Sequence, residues 1–409
     1  MRPITFNLND FLLSLSFALD FVEMDILGAS SNHSKRVGLI AVKMGKLFGL
    51  DESELFDLCS FSILHDNGLS EEVLHRKITL SEKEKCTIRG LEKYFDHCEY
   101  GERNLVNFPF QTDHTDIVKY HHERYDGGGV YGIEGENIPF PAQLIALADT
   151  VDNLFHFEKT DVENRKSIRD FIEKRKGSWY SKKVGEAFLE LSDPPGFWLE
   201  LQNPFIYKSI KDYIPARSSE LTWREVLKIS RVFSRIIDSK SKFTFRHSSG
   251  IEEKAATMAE YYGFDEERYY KLLVAASLHD LGKLVIPNSI LNKPGSLEEE
   301  EYELIQTHAF YTRKGLEELH TFDDICSWAS NHHERLDGSG YPYRLEAPSL
   351  GFEDRLLMCL DIYQALTEDR PYRAALSHGK AANILRELAR EGKIDAQVTR
   401  DLEEVFHPG

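Results

Sequence analysis

The sequence lacks the features of membrane, secreted and thiolate-metal proteins. No apolar run approaches the roughly 20 residues that a membrane-spanning helix needs. The N-terminal apolar stretches are interrupted by Asp10, Asp20 and Glu23, which is not the pattern of a signal peptide. The five cysteines are scattered and form no Cys-x-x-Cys pair, which argues against a zinc ribbon or a redox motif. These absences predict a cytoplasmic protein with reduced thiols.

Long runs of lysine or arginine are also missing. The chain has 50 Lys and Arg against 68 Asp and Glu, a formal net charge of −18. Proteins that bind polymeric nucleic acid usually present a basic face, so we expect neither such a polymer nor a membrane among the partners. An anionic ligand would need local positive charge, from metal ions and a few well-placed Lys and Arg side chains.

What the sequence does contain is one pattern that occurs twice. The first copy consists of His33, His65, Asp66, His97, His121, His122 and Asp149. The second copy consists of His247, His279, Asp280, His308, His332, His333 and Asp361. His33 and His65 are 32 residues apart, as are His247 and His279. His97 and His121 are 24 residues apart, as are His308 and His332. The interval between these pairs is 32 residues in the first copy and 29 in the second. This register predicts two homologous domains.

Apolar residues recur at helical spacing in both copies, for example over residues 37–48 and 223–237. No sustained alternating strand pattern is present. We therefore predict an all-α fold with two tandem domains. Pro-rich breakers near residues 193–196 and 203–204 suggest a linker region over 193–219. The predicted domains are then residues 1–192 and 220–409.

The repeated residues are imidazoles and carboxylates, which suit iron, manganese or zinc rather than thiolate-bound zinc. Seven ligands exceed the needs of one ion, and an aspartate can bridge two ions about 3.5–4 Å apart. Such a pair can activate a water molecule at neutral pH for attack on phosphorus. Adjacent ligands on a helix would project about 100° apart, towards both flanks of a metal pair. Lys283, three residues after Asp280, should lie on the same face, close to the metals.

The second copy resembles the HD-GYP domain, a branch of the HD phosphohydrolases. The run HDLGK at 279–283 is similar to the HD-x-G-K motif, and HHERLDGSGYP at 332–342 is similar to the HD-GYP signature. Residues 361–373 resemble the closing motif, and the whole resemblance covers roughly residues 220–405. It implies an all-helical domain that hydrolyses cyclic dinucleotides, chiefly cyclic di-GMP and in some cases cyclic GMP-AMP.

The resemblance also implies roles for individual residues of the second copy. The metal ligands would be His247, His279, Asp280, His308, His332, His333 and Asp361. Asp280 and Lys283 would be catalytic, and the substrate contacts would be Lys283, Tyr341, Arg370 and Arg373. Some members carry a further metal-binding Glu four residues before the first His, where this chain has Phe243. The expected cofactor is therefore two divalent ions, iron or manganese, with zinc or nickel as alternatives.

The first copy resembles the same fold but departs from its motifs. Leu69 replaces the motif lysine, the Gly-Tyr-Pro reads Gly129-Val130-Tyr131, and Glu158 stands where the second copy has Arg370. We interpret this domain as degenerate, with a vestigial metal site and a role in structure, homodimerisation or regulation. Two alternatives stay open for the chain: a non-catalytic cyclic-dinucleotide sensor, and an HD phosphohydrolase that acts on other nucleotides or alarmones.

Overall fold

The computed structural model of the chain describes residues 2–76, 95–157, 161–240, 247–293, 295–369 and 374–407. Helices dominate these residues, which confirms the predicted all-α fold. The chain divides into an N-terminal unit, residues 6–219, and a C-terminal unit, residues 1–5 and 220–409. Two short strands, β1 (Ile4–Phe6) and β2 (Ser219–Leu221), form a two-stranded sheet.

Ten described helices build the N-terminal unit. They are α1 (Leu8–Ile26), α2 (His33–Leu47), α3 (Glu52–Leu64), α4 (Leu69–Arg76), α5 (Asp96–Asn104), α6 (Phe140–Phe155), α7 (Val162–Arg175), α8 (Lys182–Leu191), α9 (Pro195–Glu200) and α10 (Asn203–Tyr213). Helix α2 is the centre of this unit, because it packs against α3, α6 and α10 and is buried on nearly all sides.

The segment 193–219, which the sequence predicted to be a linker, instead forms α9 and α10 in the N-terminal unit. Its prolines do not interrupt helices: Pro195 and Pro204 lie in the first turns of α9 and α10, where proline is tolerated. Trp198 and Ile210 are buried, so these helices contribute to the hydrophobic core. The prediction was wrong here because proline marks helix starts as well as loops.

Nine described helices build the C-terminal unit. Its helices are α11 (Trp223–Lys240), α12 (His247–Tyr261), α13 (Glu266–Leu278), α14 (Asn288–Leu291), α15 (Glu299–Leu316), α16 (Asp323–Ser330), α17 (Phe352–Thr367), α18 (His378–Arg390) and α19 (Ala396–Val405). Helix α13 packs against α11, α12 and α16, and α12 also contacts α17. This bundle brings the ends of α12, α13 and α16 together with the middle of α15 and α17.

Candidate metal centres

The seven predicted ligands of the C-terminal unit come from five places in the bundle. His247 is the first residue of α12, His308 lies in α15 and Asp361 lies in α17. His279 and Asp280 directly follow α13, and His332 and His333 lie in the turn after α16. The expectation that the adjacent pairs project from helical faces is therefore wrong. Both pairs sit where a helix ends, so the turn, rather than the helical period, sets their directions.

The ligand atoms of this cluster form two groups around a shared aspartate. His247, His279 and Asp280 form one group, and His308, His332 and His333 the other, each with its ligand atoms within 4.8 Å. Asp280 Oδ2 lies 3.2 Å from His279 Nε2, while Oδ1 lies 3.5 Å from His308 Nε2. Asp361 Oδ1 lies 3.2 Å from His247 Nε2. Asp280 thus faces both groups and would be shared by two ions if both groups were occupied.

Hydrogen bonds from the Nδ1 atoms of the histidines orient the Nε2 atoms towards this centre. The Nδ1 atoms of His279, His308 and His332 donate to backbone carbonyls at 2.8, 2.6 and 2.6 Å. His247 Nδ1 instead donates to Glu368 Oε2 at 3.0 Å. Such outer contacts fix the tautomer of metal-binding histidines. The buried His279 Nε2 accepts no hydrogen bond from the described residues, so the cluster fits metal ions.

The electrostatics of the cluster also suit cations. Burial lowers the pKa of His308 to about 4 and that of His332 to about 3, which keeps these rings neutral, the form that coordinates metals. Burial likewise opposes the charging of His247, but its hydrogen bonds to Asp361 and Glu368 raise its pKa to about 9. A metal at Nε2 would take the place of that proton.

Lys283 places its ammonium group beside the cluster, as the motif predicts. Its Nζ lies 2.5 Å from Asp280 Oδ2, at the edge of the centre where the lysine side chain is 20% exposed. Burial opposes ionisation of Asp280, yet His279 and Lys283 hold its pKa well below the usual range. The lysine lies on a short 3₁₀ helix (Leu281–Val285) directly after Asp280, rather than on an α-helix that the two residues share.

Tyr341 is the remaining predicted substrate residue that the structure describes. Its ring centroid lies 4.7 Å from that of His333, so the side chain borders the metal cluster. Arg370, Arg373 and Phe243 lie outside the described residues, and their roles stay predictions.

Sequence reasoning missed a carboxylate that supports the Gly-Tyr-Pro loop. Buried Glu334 accepts the backbone N–H groups of Tyr343 and Leu345, both at 2.8 Å. Glu123 accepts those of Tyr131 and Ile133 in the N-terminal unit, both at 2.7 Å. The sequence contains a signal for this role, because a glutamate directly follows the His-His pair in both copies.

The motif glycine Gly282 lets the ligand-bearing segments approach each other. A Cβ at this position would lie 1.9 Å from the carbonyl oxygen of His308. The N–H of Gly282 also donates to Thr312 Oγ1 at 3.0 Å, and that hydroxyl donates to the carbonyl of His279 at 2.9 Å. The glycine therefore allows the close approach of the segments that carry two predicted metal ligands, His279 and His308.

Gly282→Ala is expected to lower both the free energy of unfolding and the metal content. The added methyl group must push α15 and His308 away, and such overpacking costs about 1–3 kcal/mol. Denaturant unfolding and metal analysis measure the two effects. Gly379→Ala is the control, since a Cβ there meets no atom within 4 Å. If the two variants match in stability and metal content, Gly282 does not set the ligand spacing.

The N-terminal unit brings its seven counterparts together in the same way. Asp66 Oδ2 lies 3.6 Å from His65 Nε2, and Oδ1 lies 3.1 Å from His97 Nε2 and 3.5 Å from His121 Nε2. Asp149 Oδ1 lies 3.2 Å from His33 Nε2, and Asp149 Oδ2 lies 3.8 Å from His122 Nδ1. An open pocket lined by Trp179 and Tyr180 reaches His121, His122 and Asp149.

The two centres differ at the positions where the motifs differ. Leu69, the counterpart of Lys283, is fully buried and adds no positive charge. Two further residues, Glu23 and Cys98, lie in or beside this cluster and were not predicted as ligands. The sequence predicts only a reduced thiol for Cys98. Glu158 lies outside the described residues.

Comparison with known proteins agrees with this duplicated architecture. The HD domain family matches residues 23–184 and 231–398, more than half of the chain. The chain belongs to the HD-domain family. The 3'3'-cGAMP-specific phosphodiesterase 1 of Vibrio cholerae is 30% identical to it over 96% of this chain and 90% of that protein.

Two further similar proteins match either nearly the whole chain or less than half of it. The crystal structure of a cyclic GMP-AMP specific phosphodiesterase of V. cholerae superposes with a TM-score of 0.70 at 25% identity and covers 99% of both chains. A cyclic di-GMP phosphodiesterase response regulator of Xanthomonas campestris is 35% identical over only 41% of this chain and 44% of that protein. Among the described residues, no helix is long and apolar enough to cross a membrane.

Proposed function

We propose that the chain is a metal-dependent phosphodiesterase that hydrolyses a cyclic dinucleotide in its C-terminal unit. The observation that carries this proposal is the combination of a two-group ligand cluster around Asp280 with Lys283 beside it. Two divalent ions, iron or manganese, with zinc or nickel as alternatives, would occupy the cluster and supply an activated water and charge stabilisation.

The residues of the C-terminal unit would have separate roles in the reaction. The seven predicted ligands would hold the ions in a buried, low-dielectric site, where the attraction between the ions and a phosphate would be stronger than in water. Lys283, at the exposed edge, can donate a proton to the leaving oxygen or hold a phosphate oxygen. The N-terminal unit has Leu69 at that place and would not catalyse.

For the substrate, we propose 3'3'-cyclic GMP-AMP ahead of cyclic di-GMP. The relatives that match the chain over nearly its whole length are named as cyclic GMP-AMP phosphodiesterases, whereas the cyclic di-GMP relative described above matches less than half of it. The cytoplasmic location, the homodimer and the absence of nucleic-acid polymers among the partners stay predictions from the sequence.

A substrate panel tests this proposal. Full-length protein, loaded separately with iron, manganese, zinc or nickel, is incubated with cyclic GMP-AMP, cyclic di-GMP, a nucleoside triphosphate and a guanosine tetraphosphate alarmone. Chromatography that resolves linear dinucleotides from mononucleotides identifies the products. We expect turnover of the cyclic dinucleotides only. Turnover confined to the triphosphate or alarmone would instead support the alternative HD phosphohydrolase, and binding without turnover would support the sensor.

Tyr341→Ala is expected to raise KM more than it lowers kcat. Stacking of a base on an aromatic ring is worth about 1–3 kcal/mol, or roughly 5- to 150-fold in KM. Tyr341→Phe should retain most of the binding. The control is Tyr343→Ala, two residues further along the loop, where the ring lies by Arg313. Steady-state kinetics at matched metal content measure KM and kcat for each variant. Equal KM values for the two alanine variants would exclude a substrate contact at Tyr341.

A further inference from the structure

Glu23 of α1 is a buried carboxylate that points into the cluster of the N-terminal unit. It is 2% exposed, and its Oε2 lies 4.0 Å from His33 Nε2. That oxygen accepts no hydrogen bond from the described residues. The Nε2 atoms of His33, His65 and His121 and Oδ1 of Asp66 also lack hydrogen bonds there. These buried atoms face one another around a common centre.

A carboxylate buried in this way must either bind a proton or pair with a cation. The cost of removing its charge from water is several kcal/mol unless a partner compensates. Asp66 and Asp149 add two more carboxylates to the same cluster, and Leu69 cannot neutralise them as Lys283 can in the other unit.

The cations at the start of α2 already have carboxylate partners. Lys35 Nζ lies 3.3 Å from Asp20 Oδ2, and Arg36 Nε lies 2.6 Å from Asp152 Oδ1. Neither side chain therefore supplies the positive charge for Glu23, Asp66 and Asp149, which comes either from protonated histidines of the cluster or from ions that take the place of those protons.

Cys98 adds a sulfur atom to the same cluster. The residue is fully buried, and its Sγ lies 3.5 Å from His97 Nε2 and 3.9 Å from His121 Nδ1. His97, Cys98, His121 and His122 present ligand atoms within 4.8 Å of one another. The position after the matching histidine in the C-terminal unit is Ala309, so only the N-terminal centre has this donor.

Carboxylates contact the Nδ1 atoms of two of these histidines. Asp152 Oδ2 accepts from His33 Nδ1 at 2.6 Å, and Glu72 Oε2 lies 3.2 Å from His97 Nδ1. Carboxylate–histidine pairs of this kind orient metal ligands and make them more basic. In the C-terminal unit His308, the counterpart of His97, donates to the carbonyl of Ile305 instead. The N-terminal cluster thus has two such pairs among the described residues, whereas His247 and Glu368 form the corresponding pair in the C-terminal cluster.

We propose that the N-terminal unit holds its own metal centre, in which Glu23 and Cys98 are ligands in addition to the seven shared with the C-terminal unit. A donor set of imidazole, carboxylate and thiolate suits a borderline-soft divalent ion such as zinc. The open pocket beside His122 provides an entry path. The C-terminal unit has Asp238 on α11 near its own cluster, but that carboxylate accepts from Ser248 Oγ at 2.7 Å. This inference does not depend on the proposed function.

X-ray absorption at the zinc edge tests the sulfur ligand in the full chain. Among the described residues neither cluster contains another cysteine. We therefore expect a zinc–sulfur shell at about 2.3 Å in the zinc-loaded protein. Cys98→Ala, which copies Ala309, should lose the shell, whereas Cys59→Ala, which removes a buried thiol elsewhere in the same unit, should keep it. A spectrum without sulfur, or one that Cys98→Ala leaves unchanged, overturns the assignment of Cys98.

Zinc titration tests Glu23. In a chain that carries Asp280→Asn to weaken the C-terminal site, we expect at least one zinc per chain to remain after dialysis. Glu23→Gln, which keeps the shape and removes the charge, should weaken this zinc about 10- to 100-fold or more. Circular dichroism shows whether each variant is folded. Zinc affinity that Glu23→Gln leaves unchanged, or a folded chain without zinc, would overturn the proposed centre.

Discussion

Asp280→Asn is expected to reduce cyclic-dinucleotide turnover by about 1,000-fold or more, because electrostatic and metal-ion stabilisation of the transition state is usually the largest catalytic contribution. Asp280 Oδ1 and Oδ2 face different histidine groups, so loss of its charge weakens both metal positions at once. The asparagine has the same shape, which keeps the packing of a residue that is buried beneath Lys283. Turnover and metal content are measured on the same preparations.

Asp66→Asn is the matched control, since Asp66 occupies the same place in the N-terminal unit. We expect this variant to lose metal from its own unit but to retain most of its turnover. If a folded Asp66→Asn chain is as inactive as Asp280→Asn, catalysis also requires the N-terminal centre, and the division of labour between the units is wrong.

Lys283→Leu is expected to lower kcat by about 100- to 10,000-fold, the usual contribution of general acid–base catalysis. The substitution gives the C-terminal unit the residue that the N-terminal unit has at Leu69. Because Lys283 contacts Asp280 but contributes no metal ligand, the metal content should stay the same. Kinetics at matched metal loading measure the effect. Lys293→Leu is the control, since that lysine pairs with Glu301 instead.

Two outcomes would contradict this role for Lys283. Unchanged kcat would show that the lysine neither donates a proton nor holds a phosphate. A fall in kcat that follows a loss of metal would show that the lysine only balances the charge of Asp280.

The fold class and the clustering of the two His/Asp sets could be predicted because both depend on patterns that occur twice in the sequence. A histidine or aspartate that recurs at the same interval in two copies stands out from the histidines that pack in the core. Helical spacing of apolar residues over 37–48 and 223–237 predicted α2 and α11, since each helix must bury a face. Neither inference needed the exact directions of the side chains.

The features that were missed depend on contacts between distant parts of the chain. Glu23 and Cys98 have no repeated counterpart among the predicted ligands, so only the folded structure shows that they reach the cluster. The directions of His332 and His333 are set by the turn after α16, which the helical period does not describe. Pro195 and Pro204 start helices because α9 and α10 bury Trp198 and Ile210, a tertiary effect that local breaker rules omit.

The most direct test of a metal-dependent site in the C-terminal unit is removal and return of the metals. Wild-type protein, Asp66→Asn and Asp280→Asn are stripped with a chelator, dialysed and assayed with cyclic GMP-AMP before and after addition of manganese or iron. We predict no turnover without metal, recovery in wild type and Asp66→Asn, and no recovery in Asp280→Asn. Turnover by the stripped protein, or full recovery of Asp280→Asn, would contradict metal-dependent catalysis at the cluster around Asp280.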